Sequence, residues 1–299
     1  MAVSDTKWRP ASSLIFDRPI NARRNVGLLG IPTYATSLSA RSAASTPAAI
    51  RSALDYYSTW SWSSRADLAE YVAVVDYGDV LDPDGEGGHE RVAAALETIE
   101  QSPLVILGGD NAATWHAMSA LMKDRPEEFG LITLDAHLDM RDGRSNGSPV
   151  RQLLEEGLDG HHVVQVGLSD FANSPGYARD AQAAGVRIIE RDAFNRDDAA
   201  VIARRALDVA RQGGRKVYVD IDVDVADRSV APGCPAAAPG GLRADEMRRF
   251  VRALATSQHV VALDITEVDV ERDAPDARTV RLAALLLLEA LSGVQRRPL

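Results

Sequence analysis

The chain has 299 residues, 45% of them hydrophobic and 25% charged, a balance that suits a globular protein with one large α/β core. Its net charge of −10 argues against nucleic acid or an anionic membrane as partner, since neither is drawn to an acidic surface. A single cysteine, Cys234, excludes an intrachain disulfide; with no apolar leader and no apolar run of membrane-spanning length, a cytoplasmic protein is expected.

Residues 1–24 read as an N-terminal extension, and the first strand-like run is 26–31. A short helix is predicted at 47–54, where Ala, Ile and Leu recur at helical spacing, followed by a strand at 72–75 and a helix at 90–99. Strand-like runs then come at 104–107, 131–134, 163–166 and 186–189. An amphipathic helix at 199–211, a strand at 217–221, a second such helix at 244–254 and a strand at 260–265 follow. The nearly all-apolar stretch 281–291 reads as a buried helix, and 293–299 as a short C-terminal tail. All eight strand-like runs carry Val, Ile or Leu on successive residues, which suits strands buried on both faces of a parallel sheet. Their alternation with helices predicts one three-layer α/β/α domain over residues 1–299. The Pro/Gly-rich segment 232–241 is read as a loop within that domain.

In an open parallel sheet, ligands bind beyond the carboxyl ends of the strands. Four runs deliver acid or amide side chains there: Asp110 and Asn111 after 104–107, Asp135, His137 and Asp139 after 131–134, Asp220, Asp222 and Asp224 around the end of 217–221, and Glu267 after 260–265. In extended backbone, residues i, i+2 and i+4 point the same way, so each triplet can converge. Carboxylates packed so closely repel unless a cation lies between them. Taken alone, either triplet is a common pattern or the polar face of an edge strand. Both at strand ends indicate a metal site, and oxygen donors with one imidazole suit Mn2+ better than a thiolate-seeking ion. Cys234 is read as a small buried hydrophobe. His116 is given a helix-packing role, and the His161–His162 pair, which precedes its strand, is not assigned to metal.

The segments LGGDN (107–111), LDAHLDM (134–140), VDIDVDVADRSVAPG (219–233) and ITEVD (265–269) resemble, in order, the signatures of the ureohydrolase superfamily, which includes arginases, agmatinases and formimidoylglutamases. The resemblance implies an arginase-like α/β/α fold with an eight-stranded, mostly parallel sheet. It also implies a dinuclear manganese centre, hydrolysis of a C–N bond in a linear amidine or guanidine, and homo-oligomeric assembly. By position, Asp135 and Asp222 would bridge two Mn2+ ions, His137 and Asp224 would complete the second, Mn B, and Asp139 would bind the first, Mn A. Asp139 would also pass a proton from water to the leaving nitrogen. Glu267 would accept hydrogen bonds from the substrate's N–C–N group. Asn111 stands where the family usually has histidine, so the resemblance implies a metal ligand there of weaker donor strength, and a weakened Mn A. Asp220 stands where many relatives have serine and is read as lying behind the ligands. Arg228 is read as a loop residue.

The loop 140–157 has no histidine where arginase-like members carry one, and with 231–242 it most resembles the formimidoylglutamases. N-Formimidoyl-L-glutamate carries two carboxylates, which gives Arg141 and Arg151 a use as substrate-binding residues. The alternative is that both arginines are solvated loop residues or make structural salt bridges to the acidic segment near Glu155 and Glu156. Two other functions stay open: release of urea from a guanidino compound, and a binding subunit that has lost activity.

Overall fold

Each of the eight apolar runs forms a strand; those inside the sheet are buried on both faces and have no polar side to turn outward, whereas the run at 186–189 is a half-buried edge strand. The computed structural model describes residues 5, 7–39 and 43–298. Within them the strands are, in chain order, β1 (Ile15–Phe16), β2 (Arg24–Ile31), β3 (Trp60–Ser61), β4 (Ala66–Asp67), β5 (Val72–Asp79), β6 (Leu104–Gly108), β7 (Phe129–Leu134), β8 (Val163–Leu168), β9 (Arg187–Glu190), β10 (Lys216–Ile221) and β11 (Val260–Ile265). Nine of them form one sheet in the order β1-β5-β2-β6-β11-β10-β7-β8-β9, and every pairing in it is parallel. β3 and β4 make a separate antiparallel pair. The expected count of eight is therefore corrected to nine. The extra strand, β1, is two residues long and carries no periodicity to read, and it takes part of the supposed extension into the sheet beside β5.

The helices are α1 (Thr46–Ala53), α2 (Gly88–Glu97), α3 (Ala112–Met122), α4 (Pro149–Glu155), α5 (Pro175–Ala183), α6 (Ala199–Ala210), α7 (Ala244–Ala255) and α8 (Arg278–Gln295). Alternate strand residues sort them onto two faces. Val105 and Leu107 of β6, and Ile132 and Leu134 of β7, pack in one core with Ile50 of α1, Ile202 of α6, Phe250 of α7 and Leu286 of α8. Leu104 and Ile106 of β6, with Leu131 of β7, pack in a second core with Val92 of α2, Met118 of α3, Leu153 of α4 and Ala181 of α5. These are the two outer layers of the α/β/α sandwich.

α8 is buried along most of its length, yet carries Glu289 inside. Arg248 and Arg252 of α7 lie 2.8 and 3.1 Å from that carboxylate and offset the cost of burying it. The C-terminal tail is anchored rather than loose. The buried Arg297 guanidinium donates to the Ala255 and Val260 carbonyls at 2.8 and 2.9 Å, and Arg24 donates to the carbonyls of Arg297 and Pro298. Among the described residues no helix is long and apolar enough to cross a membrane.

This topology places β6, β11, β10 and β7 side by side at the middle of the sheet. Their carboxyl ends carry all the acidic segments picked out in the sequence.

Candidate metal centre

At the end of β7 the chain leaves the sheet as Asp135–Ala136–His137–Leu138–Asp139. The Asp135 amide donates to the Val166 carbonyl of β8 at 2.9 Å, which fixes where this turn begins. Asn173 holds its far side, accepting from the Leu138 amide at 2.7 Å and donating to the Ala136 carbonyl at 3.1 Å. At the end of β10, Asp222 caps a short 3-10 turn by accepting from the Asp224 amide at 2.7 Å. That turn aims Asp224 at the β7 segment, where it accepts from the Ala136 amide at 3.1 Å. Its other oxygen lies 2.7 Å from His137 Nδ1. Asp139 and Glu267 both hold left-handed backbone, with φ of 51° and 63°, uncommon for residues with a side chain. Each is pinned through the backbone: the Asp139 carbonyl accepts from the Arg151 amide at 3.1 Å, and the Glu267 amide donates to the Gly109 carbonyl at 2.8 Å. Gly109 admits no larger residue, because a Cβ there would meet the Thr33 carbonyl oxygen at 2.0 Å.

Two groups of ligand atoms result among the described residues. One joins Asp135, His137 and Asp224; the other joins Asp135, Asp139 and Asp220. Within each, one donor atom per residue lies within 4.8 Å of the others. Asp222 and Glu267 line the same cavity, which measures about 240 Å³ and is also walled by His137, Asp139, Asn146 and Arg141.

The electrostatics show a surplus of negative charge. Burial first, and then neighbouring carboxylates, push Asp139 and Asp222 well above the usual carboxyl range and Asp135 up to about 7. Burial, with Asp110 nearby, raises Glu267 to about 8. Burial works against the His137 imidazolium, but Asp135 and Asp224 outweigh it and push its pKa up to about 12. In return, His137 outweighs burial at Asp224 and holds that carboxyl below its usual value. Asp135 Oδ2 is buried without a hydrogen-bond donor. An unpartnered buried carboxylate oxygen among oxygen donors and one imidazole is the chemistry a divalent cation satisfies, and the residues present fit one. Its binding would have to displace the proton held between His137 and Asp224.

Asn111, expected as a ligand, is tied into hydrogen bonds with its neighbours. Its Oδ1, the only amide atom suited to a metal, accepts from the Thr114 and Thr266 hydroxyls at 2.8 and 2.9 Å. Its Nδ2 donates to Asp139 at 2.6 Å, and its backbone amide donates to Glu267 at 2.8 Å. Asn111 thus orients two carboxylates. The sequence did not show this, because Thr114 lies only three residues on but Thr266, Asp139 and Glu267 are brought to the amide by the fold.

The two arginines part company. Arg141 lines the cavity. Arg151 does not reach it: its guanidinium donates to the Met140 carbonyl at 2.8 Å and to Asp180 at 2.9 Å. Of the two readings of Arg151, these contacts favour the structural one, with Asp180 rather than Glu155 or Glu156 as partner. Asn146, which donates to Glu267 at 2.7 Å, is a site residue the sequence reading missed. Its Ser-Asn-Gly setting reads as an ordinary turn.

Other residues stand apart. His161 and His162 contact Asp159 and the Val209 carbonyl, at the start of β8. Arg228 clasps its loop through the Cys234 carbonyl at 2.6 Å. His116 is buried against Trp115, with ring centroids 4.7 Å apart, and its Nδ1 has no partner. Burial, then His89 and Arg144, lower its pKa to about 4. The unfolded chain then takes up a proton near pH 6.5 that the folded chain refuses, so this contribution is intact above pH 6.5 and is lost as pH falls toward 4. The loss is at most about 3 kcal/mol. His116→Gln should flatten the fall in stability between pH 6.5 and 4 by roughly that amount, read from urea unfolding at both ends. Parallel profiles for the two proteins would show that His116 does not titrate this way.

The fold is a parallel α/β/α sandwich with a carboxylate-rich candidate metal centre at the carboxyl ends of its middle strands, where such sheets bind ligands. Residues 24–293 match the arginase family. A formimidoylglutamase of Bacillus subtilis (strain 168) is 34% identical over 286 residues, covering 91% of this chain and 88% of that protein. A formimidoylglutamase of Halobacterium salinarum is 34% identical, covering 90% and 87%. The crystal structure of formimidoylglutamase from Bacillus subtilis subsp. subtilis str. 168 superposes with a TM-score of 0.90 at 30% identity, covering 100% of this chain and 96% of that one. The chain therefore belongs to the arginase family, as a hydrolase acting on C–N bonds of linear amidines.

Proposed function

We propose that the chain hydrolyses N-formimidoyl-L-glutamate to L-glutamate and formamide at a two-manganese centre. The observation that carries this reading is one cavity whose wall combines the ligand cluster, the Glu267 carboxylate and the Arg141 guanidinium. An amidine needs a carboxylate for its N–H groups, and a diacid needs a cation at the far end. The relatives of similar length named formimidoylglutamase support the same substrate.

His137, Asp135 and Asp224 would hold one ion, Asp135 and Asp139 would serve the other, and Asp222, on the same cavity wall, would help hold them. When bound, the ions supply Lewis acidity and acidify water at neutral pH. The protein's own groups do the rest. Glu267, held by Asn111 and Asn146, accepts the amidine N–H groups and orients the carbon for attack by water. Asp139, steadied by Asn111, takes the water's proton and returns it to the substrate's α-nitrogen as the C–N bond breaks. Water adds its oxygen to the carbon, formamide carries that oxygen away, and glutamate leaves with the proton. Arg141 binds a substrate carboxylate. Assembly into a homo-oligomer is part of this reading.

A substrate panel tests it. Purified Mn2+-loaded protein is offered formimidoylglutamate, arginine, agmatine and 4-guanidinobutyrate, and formamide, urea and ammonia are measured. Formamide from the first alone is expected. Urea from any guanidine would replace this substrate with a guanidino compound, and no product from any would leave a binding subunit.

A further inference from the structure

We propose that Asp220 is itself a metal ligand, which with Asp135 and Asp139 forms an all-oxygen pocket for a hard divalent cation. The proposal rests on reading the cluster as a metal centre and assigns to it, as a ligand, a residue that the resemblance placed behind the ligands.

Asp220 is the fifth residue of β10 and fully buried, paired in register with Thr133 of β7. Neither of its carboxylate oxygens has a hydrogen-bond donor. The neighbouring hydroxyl, Thr133 Oγ1, also makes no hydrogen bond, so it does not serve Asp220. Asp264, the adjacent acid on β11, takes the Tyr218 hydroxyl at 2.6 Å and the Ile221 amide at 3.3 Å, and its Oδ2 also lies 2.9 Å from the Thr114 hydroxyl that Asn111 Oδ1 shares. Asp220 is left with carboxylate neighbours. On one side, an oxygen of Asp220 lies within 4.8 Å of one oxygen each from Asp135 and Asp139. On the other stands Asp264.

A fully buried carboxylate with no donor must share a cation or a proton. The cation is the better solution here because Asp135 Oδ2 is equally buried and unpartnered, so two orphan oxygens bear on one pocket. Three carboxylates with no imidazole suit Mn2+ or Mg2+, whereas the Asp135–His137–Asp224 group suits a more borderline ion. The pocket also answers the question left by Asn111, whose oxygen is committed to two threonines. In this chain the third donor comes from β10 instead of the start of α3.

The proton-sharing alternative pairs Asp220 with Asp264, and metal counts separate the two. Full-length wild type and Asp220→Asn are stripped of metal, equilibrated with Mn2+ and analysed by equilibrium dialysis with elemental analysis and by electron paramagnetic resonance. Wild type should bind two ions per chain with a spin-coupled spectrum. Asp220→Asn should bind one ion tightly with an uncoupled six-line spectrum, and bind the second at least ~tenfold more weakly. Its melting temperature should also rise less on Mn2+ addition. Two ions at wild-type affinity in Asp220→Asn would overturn the proposal in favour of the shared proton, as would a wild type that binds one ion. Asp220→Ser gives the same readings if the amide variant does not accumulate. A wild type that binds two ions but releases no formamide would remove the proposed function and leave this assignment standing.

Discussion

Asp135→Asn should empty the centre and lower kcat/KM for formimidoylglutamate by at least about a thousandfold, or ~4 kcal/mol of transition-state stabilisation. Asp135 belongs to both groups of ligand atoms, so its loss reaches both. It is fully buried, with Oδ1 accepting from the His137 amide at 2.7 Å and Oδ2 free of any donor. An asparagine keeps the size but replaces one anionic oxygen with an amide group that repels a cation. The fold should survive, since the change removes a buried charge from a site already crowded with carboxylates. Far-UV circular dichroism, elemental analysis and formamide release on the same preparation check each part. Retained activity with full metal content would show that Asp135 does not ligate.

Glu267→Gln should behave differently: metal content unchanged, kcat/KM lower by about a hundredfold, and KM raised. Its carboxylate is held by the Asn111 amide at 2.8 Å and the Asn146 side chain at 2.7 Å and lies on the cavity wall. Glutamine keeps one acceptor but loses the charge that pairs with an amidine cation. A hydrogen bond to a charged group contributes about 1.5–3 kcal/mol, and the upper end gives that hundredfold. A fall in bound metal in Glu267→Gln would move the residue from substrate binding to metal holding. An unchanged KM with a lowered kcat would place its interaction in the transition state alone.

The difference between these variants reflects what could be read from residues in order. Strand interiors were legible because β2, β5, β6, β7, β8, β9, β10 and β11 are apolar on successive residues, and the acidic segments were legible because they follow four of those runs. β1 was not, since Ile15 and Phe16 are too few to show a period. Side-chain direction after the strand ends was illegible too. Alternation placed Asp220, Asp222 and Asp224 on one side, but the 3-10 turn at Val223–Val225 re-aims Asp224 toward His137, while Asp220, still within β10, faces Asp135 and Asp139. Asn111 and Arg151 depended on partners far along the chain. Thr266 is 155 residues from Asn111, and Asp180 is 29 residues from Arg151. No local pattern encodes such pairings.

The most direct measurement of the central claim, that the carboxylate cluster is a metal centre doing amidine hydrolysis, is a titration of metal-free protein with Mn2+ while formamide release from formimidoylglutamate is followed. Activity should be absent at the start, rise with bound Mn2+ to a plateau at two ions per chain, and vanish again on chelation. Formamide release by the metal-free protein at the plateau rate would contradict it.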